Sequence, residues 1–184
     1  MSFFLFFKRY QIKQTKIMSA KKVLLAQYDL HHVLFNNVID EVSDEEANAI
    51  VKSPMNNFKW IAGHLLICQG HLAKIGGTDV SIPWADHFPA GPGVPKAADG
   101  EKSEYPTMSQ IRNKWNELHP IIRQGLDNLP EEALNTTIEA KHPVYPFNDT
   151  LGGLWAFVSH HQALHIGQMS VLRRGLNKDA MKFS

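Results

Sequence analysis

Two histidines one helical turn apart, in His161-Gln162-Ala163-Leu164-His165, carry the strongest chemical signal in this chain. Residues four apart on a helix stand one above the other, about 6 Å apart at Cβ. Two imidazoles so placed can converge on one metal ion. A plainer reading stands beside it: each is a core histidine satisfied by a hydrogen bond, the commoner outcome for such a pair taken alone. His64 shifts the balance. It sits between Trp60 and Leu72 on the apolar side of another helical segment. Three inward histidines from two helices are costly to bury without a common partner. Three histidines and an open position form a site of the catalytic kind, and neutral imidazole suits zinc, nickel, copper or iron.

Several other chemistries are excluded or demoted by residue type. The zinc-protease motif HExxH places a glutamate after its first histidine as general base, and Gln162 holds that place here. A di-iron bundle needs carboxylates on several helices, and the segments around His64 and His161 have none in their interiors. Glycine-rich phosphate loops are absent. Cys68, the single cysteine, has His64 and His71 one turn away on either side, but it reads better as a small core thiol than as a nucleophile. His160 points about 100° away from His161 and falls outside the site. His31 lies on an inward stripe and could line a cavity, His71 reads as a core or rim residue, and His87 and His142 lie in long connections near the expected site mouth. His32 and His119 read as solvated.

Four segments of helical periodicity can position these residues. The first spans about 19–41, with Leu24, Tyr28, His31, Phe35 and Val38 on one stripe. The second starts near Ser53-Pro54, a cap followed by a first-turn proline, and stops at Gly76-Gly77. Its inner side carries Trp60, Ile61, His64, Leu65, Cys68, His71 and Leu72. The third follows Thr107 and ends at Leu129-Pro130, with Met108, Ile111, Trp115, Leu118, Ile122 and Leu126 inward. The fourth runs from Thr150 to about Arg174, with Gly175 as stop and Leu154, Val158, His161, His165, Gln168 and Leu172 on one stripe. Four long helices and few strand signals predict an all-α four-helix bundle with antiparallel-compatible connections. The connection from Gly76 to Pro106 is far longer than bundle loops usually are, and its aromatics Trp84 and Phe88 favour a packed cover over the site. Thr136-Thr137-Ile138 suggests a short hairpin reaching Pro146.

Length and composition fit one domain, 18–184, preceded by an appendage, 1–17, with Met18 as an alternative start. A short helix docked on the body is the other reading of the appendage. The net charge is +1, but residues 1–17 hold four basic residues and no acid, which leaves 15 basic against 18 acidic residues in the body. Such a body offers no basic face for nucleic acid. No apolar run approaches the roughly 20 residues that cross a bilayer, so no membrane span is expected. One cysteine cannot form an internal disulfide, which favours a reducing, cytoplasmic setting.

Trp60-Ile61-Ala62-Gly63-His64-Leu65, His161-Gln162-Ala163-Leu164-His165-Ile166-Gly167-Gln168 and the following Leu172-Arg173-Arg174, together with Tyr105-Pro106-Thr107, resemble the DinB/YfiT-like superfamily of small metal-binding four-helix bundles over about 20–174. The resemblance implies His64, His161 and His165 as metal ligands, zinc or nickel as the ion, and often a homodimer. It also implies a small-molecule substrate, with thiol-dependent S-transferases among the characterised relatives and a low-molecular-weight thiol as co-substrate. Metal-dependent hydrolysis and metal binding or sensing without turnover are the alternatives. Trp155 and Phe157, off the histidine stripe, are expected to contribute to the dimer contact. Three ligands about 2 Å from one ion should bring their ring nitrogens within about 3–4 Å of each other.

Overall fold

Side-chain caps set where the helices begin. Ser19 Oγ accepts from Lys22 N to open α1 (Ala20–Val38). Ser43 and Glu46 form a reciprocal capping box on the short α2 (Asp44–Asn48). Asn57 Oδ1 accepts from Trp60 N at 2.8 Å at the start of α3 (Phe58–Ile75). Thr107 and Gln110 form a second capping box on α4 (Met108–Asn128). Thr150 caps α5 (Leu151–Gly175) by accepting from Gly153 N. Each cap satisfies an amide that the first helical turn leaves without a partner. The computed structural model describes residues 18–51, 55–75, 78–88, 105–138 and 149–183. The expected Ser53-Pro54 cap, the Gly76-Gly77 stop, His142 and residues 1–17 lie outside these. Asn57 starts α3 four residues later than Ser53-Pro54 would have. Gly175 is the last residue of α5, and the chain reverses at Asn177, whose φ of 58° is a left-handed conformation that asparagine tolerates.

Polar ties between helix ends fix the order and direction of the four long helices. Lys21, at the start of α1, donates through Nζ to Asp127 O and Leu129 O at the end of α4, at 2.9 and 2.8 Å. These two helices are therefore antiparallel. Arg173, buried at the end of α5, donates to the carbonyls of Val38 and Asp40 at the end of α1, so α1 and α5 run parallel. Asp44 pairs with Lys59 Nζ at 2.6 Å and accepts from Met108 N at 2.9 Å, holding the starts of α3 and α4 side by side. The bundle is thus up-down-down-up, with α1 and α3 each packed on α4 and α5. Parallel neighbours correct the expectation of antiparallel-compatible connections. They also explain the long α3–α4 connection: the chain must run back along the 18 residues of α3, about 27 Å.

Of that connection, 78–88 and 105–107 are described. Phe88 is fully buried on Gly63 of α3, where an added Cβ would lie 2.4 Å from its ring. The connection is therefore anchored on the helix that carries His64. Of the hairpin expected from Thr136 to Pro146, residues 139–148 lie outside the described residues; the described ends meet in one antiparallel bridge, Thr137 to Thr150, and no strand occurs among the described residues. On its other side Thr150 enters α5 as its cap, which ends the pairing at that end.

One continuous core holds Phe35, Leu66, Ile111, Trp115, Leu126, Trp155 and Met169. Gln69 on α3 donates to the hydroxyl of Tyr28 on α1 across the diagonal of the bundle, and both are buried. Trp155 meets Tyr28 edge-on at 6.1 Å and is 3% exposed, so it belongs to this core and not to a dimer contact. His32 and His119 are not solvated as expected. They stack at 3.9 Å between α1 and α4, His119 Nε2 donates to Asp29 at 3.1 Å, and Arg123 grips both oxygens of Asp29 at 2.9 and 3.0 Å. His71, placed inward by its spacing, is exposed.

Two glycines of the histidine helices should respond oppositely to a side chain. Gly63→Val should destabilise by about 1–3 kcal/mol because it displaces Phe88. Gly167→Ala meets nothing within 4 Å and should stabilise by about 0.5–1 kcal/mol by removing a helical glycine. Urea unfolding of both variants checks this, and equal effects would contradict the packing described.

A second expectation concerns pH. Burial, then the neighbouring His119, brings His32 down to about 4, with Asp29 opposing. An unfolded histidine titrates near about 6.5. The stability contributed by neutral His32 is therefore present above about 6.5 and lost as pH falls towards about 4. His32→Phe keeps a ring in the stack and removes the titrating group. Melting temperatures should fall less steeply from about pH 7 to about pH 4.5 in this variant, and an unchanged slope would refute the assignment. Some slope should persist from His31, His64, His161 and His165, all lowered by burial.

Candidate metal centre

Helix α3 reaches the centre through residues one turn apart. The Asn57 cap sets its start, so that Trp60, His64 and Cys68 fall on one face at successive four-residue steps. Trp60 lies flat against His64, ring centroids 4.9 Å apart and planes 8° apart, which limits the rotation of that imidazole. His64 is buried. On α5 the buried stripe runs through Trp155, Val158, Ser159, Gln162, Ile166 and Met169. His161 and His165 sit beside that stripe, half-buried, on the flank that faces α3. The sequence pattern had centred the stripe on the histidines; the structure centres it about a third of a turn away. Gln162 is 2% exposed, on the buried stripe of α5, and Gln168 is exposed.

The three Nε2 atoms converge. His64 Nε2 is 3.3 Å from His161 Nε2, which is 3.1 Å from His165 Nε2. One ligand atom from each of the three lies within 4.8 Å of the others. Ligands about 2.0–2.1 Å from a tetrahedral ion stand about 3.3–3.4 Å apart, close to the two short edges of this triangle. His160 is exposed and stands outside this group. His31 is buried on α1, outside the group, and His87 packs with Phe88 and Tyr105.

Electrostatics favour a cation other than a proton. Burial, then the charges of His165 and His161, brings His64 down to about 3. Burial, then His165 and His160, brings His161 to about 4. Burial lowers His165 as well, against a hydrogen bond to Gln168. Burial thus disfavours protonation of all three imidazoles to the cation, which leaves nitrogen lone pairs to a divalent ion, so the residues present fit the ion that three converging histidines imply.

The surroundings are apolar and poor in charge. No carboxylate joins the histidines among the described residues. Phe157, expected at a dimer contact, is half-buried with its ring 5.8 Å from that of His161. Cys68 Sγ lies 3.5 Å from His64 Nε2, and burial pushes this thiol up to about 12, which favours the neutral thiol. A groove of about 800 Å³ lies elsewhere, between the first turns of α1 and α5, and Phe157 and His160 border it. It contains none of the three histidines. Trp60, Cys68 and Gln168 were each readable as neighbours from helical spacing, at four residues before His64, four after it, and three after His165.

Comparison with known proteins agrees with this architecture. No curated protein matches the chain in sequence. A crystal structure of a conserved protein from Enterococcus faecalis is similar at a TM-score of 0.65 and 16% identity, covering 88% of this chain and 99% of that one. That likeness is one of fold. The family model of the DinB superfamily matches residues 27–169, which include all three histidines and parts of all four long helices. The chain belongs to the DinB superfamily.

Proposed function

We propose that this protein is a metal-dependent transferase that uses a low-molecular-weight thiol against a small electrophilic substrate. The convergence of three histidine Nε2 atoms, 3.1 and 3.3 Å along its two measured edges, carries this reading. His64, His161 and His165 would hold zinc or nickel. An ion held by three neutral ligands keeps its charge and lowers the pKa of a thiol at its open position. Transfer from a thiol needs no further base, and the described residues bring no carboxylate to the cluster. Hydrolysis would call for a general acid or base at the leaving group, and Gln162, in the place where HExxH carries its glutamate, is an amide that can serve as neither. Trp60 and Phe157 offer aromatic walls beside His64 and His161, suited to an apolar electrophile.

The test is metal analysis of the purified protein, then assay with a thiol panel and a chloro-dinitro-arene. Thiol-dependent, metal-dependent turnover supports the proposal. Ester or amide cleavage without thiol would replace it with a hydrolase, and bound metal without either activity would replace it with a binding or sensing role. His165→Ala should remove most of the bound metal and His160→Ala should leave it nearly intact. The two positions share one helix, so helix damage cannot separate them. Equal loss in both variants would show that the ligands are misassigned.

We further propose a homodimer. Trp155 is core, so the contact is assigned instead to the outer surface of α1 and α5. Exposed apolar residues there are Val23, Leu30 and Val33 on α1 and Leu164 and Val171 on α5. Sedimentation at micromolar concentration should give a dimer for the native chain and a monomer for the Leu30→Glu, Val171→Glu double variant. A monomeric native chain would overturn the proposal.

A further inference from the structure

Each histidine that binds an ion through Nε2 must carry its ring proton on Nδ1. His165 has that proton held by an oxygen, whereas His64 Nδ1 faces a weaker acceptor, Cys68 Sγ at 3.9 Å. His165 Nδ1 is 2.7 Å from Gln168 Oε1, one turn further along α5. An amide oxygen only accepts, so this contact requires Nδ1–H on His165 and leaves its Nε2 unprotonated. That same Nε2 is the atom 3.1 Å from His161 Nε2. We infer that Gln168 is a positioning residue: its amide oxygen selects the His165 tautomer and ring orientation that present Nε2 to the centre. The inference rests on the proposed metal site and deepens it.

The chemical type of this partner matters. A metal-bound histidine commonly hands its second N–H to a carboxylate, a carbonyl or water, and a carboxylate raises the basicity of the ligand. Gln168 supplies the geometry of such a partner with no charge. The described cluster also lacks a carboxylate of its own. Three neutral ligands with a neutral amide behind one of them leave the full charge of a divalent ion to be met at the open position. A thiolate or another small anion is the class of ligand that meets it. Glutamate at 168 would keep the acceptor and its reach, and would add a negative charge just behind the centre.

The experiment uses the full-length chain with Gln168→Ala and Gln168→Glu. The first readout is the tautomer of His165 in the metal-free proteins, from imidazole nitrogen chemical shifts. The second is zinc affinity by chelator competition. The third is the affinity of the zinc-loaded proteins for azide as a probe anion. In the native chain His165 should be the Nδ1–H form. Gln168→Ala should lose that preference and bind zinc about 10-fold more weakly, the lower end of the range for removing such a partner, since Gln168 is exposed. Gln168→Glu should keep the tautomer and the zinc affinity but bind azide more weakly. A helix defect would not be rescued by glutamate. Native zinc affinity in Gln168→Ala, or zinc binding in Gln168→Glu as weak as in Gln168→Ala, would overturn the positioning role. If the native chain bound no zinc, the metal reading itself would fail. The tautomer measurement would still decide whether Gln168 holds His165.

Discussion

Three basic nitrogens from two helices have to meet at one point, and the register between α3 and α5 is the constraint that makes them do so. His161 and His165 are spaced by the helix itself. His64 arrives from an antiparallel neighbour, so a slip of one residue, about 1.5 Å, would carry it out of coordination range. Contacts at several heights resist such a slip. Val51, ahead of α3, packs so close to Gly175 at the end of α5 that an added Cβ there would lie 2.5 Å away. The Asn57 cap fixes which residue begins α3. Phe88 fills the notch at Gly63, next to His64. Gln69 and Tyr28 join α3 to α1 across the core, and α1 is tied to α5 by Arg173.

The same burial that builds the core sets the chemistry of the centre. Removing imidazoles from water disfavours their protonated forms. His64 and His161 are pushed far enough that protons do not compete for their lone pairs at neutral pH. His161 and His165 stay half-buried on the flank of α5, so the centre lies at the edge of the core and not inside it. A position facing outward from three ligands is what an open site requires. A centre on the axis of the buried stripe would have been closed by Val158, Gln162 and Ile166.

The parallel pairing of α3 with α4 has a cost and a use. It demands a long return connection, and Asp44 must serve two helix starts at once. In exchange, part of that connection, Phe88 with His87 and Tyr105, is laid against the helix that presents His64. The described part of the connection is anchored at Gly63 of α3, and 89–104, on which the expected cover rests, lie outside the described residues.

What the chain settled by itself was local. Thr107 and Thr150 cap the helices where hydrogen-bond geometry says they must, and the apolar stripe of α4 is the buried one from Met108 to Leu126. The His161–His165 pair shares a face because the α-helix repeats every 3.6 residues. His64 was legible as a third partner because it too stood on an apolar side of its helix. Non-local packing decided the rest. Periodicity marks a broad apolar face but not its centre, so Gln162 could not be told from an exposed glutamine, nor Trp155 from an interface residue. His32 and His119 looked solvated singly and became a stacked pair once α1 lay against α4. The up-down-down-up order rests on ties between residues distant in sequence, such as Lys21 to Asp127, Arg173 to Asp40 and Asp44 to Met108. Sequence reports the hydrogen bonds a helix makes with itself; which helix lies beside which depends on contacts that exist only after the chain has folded.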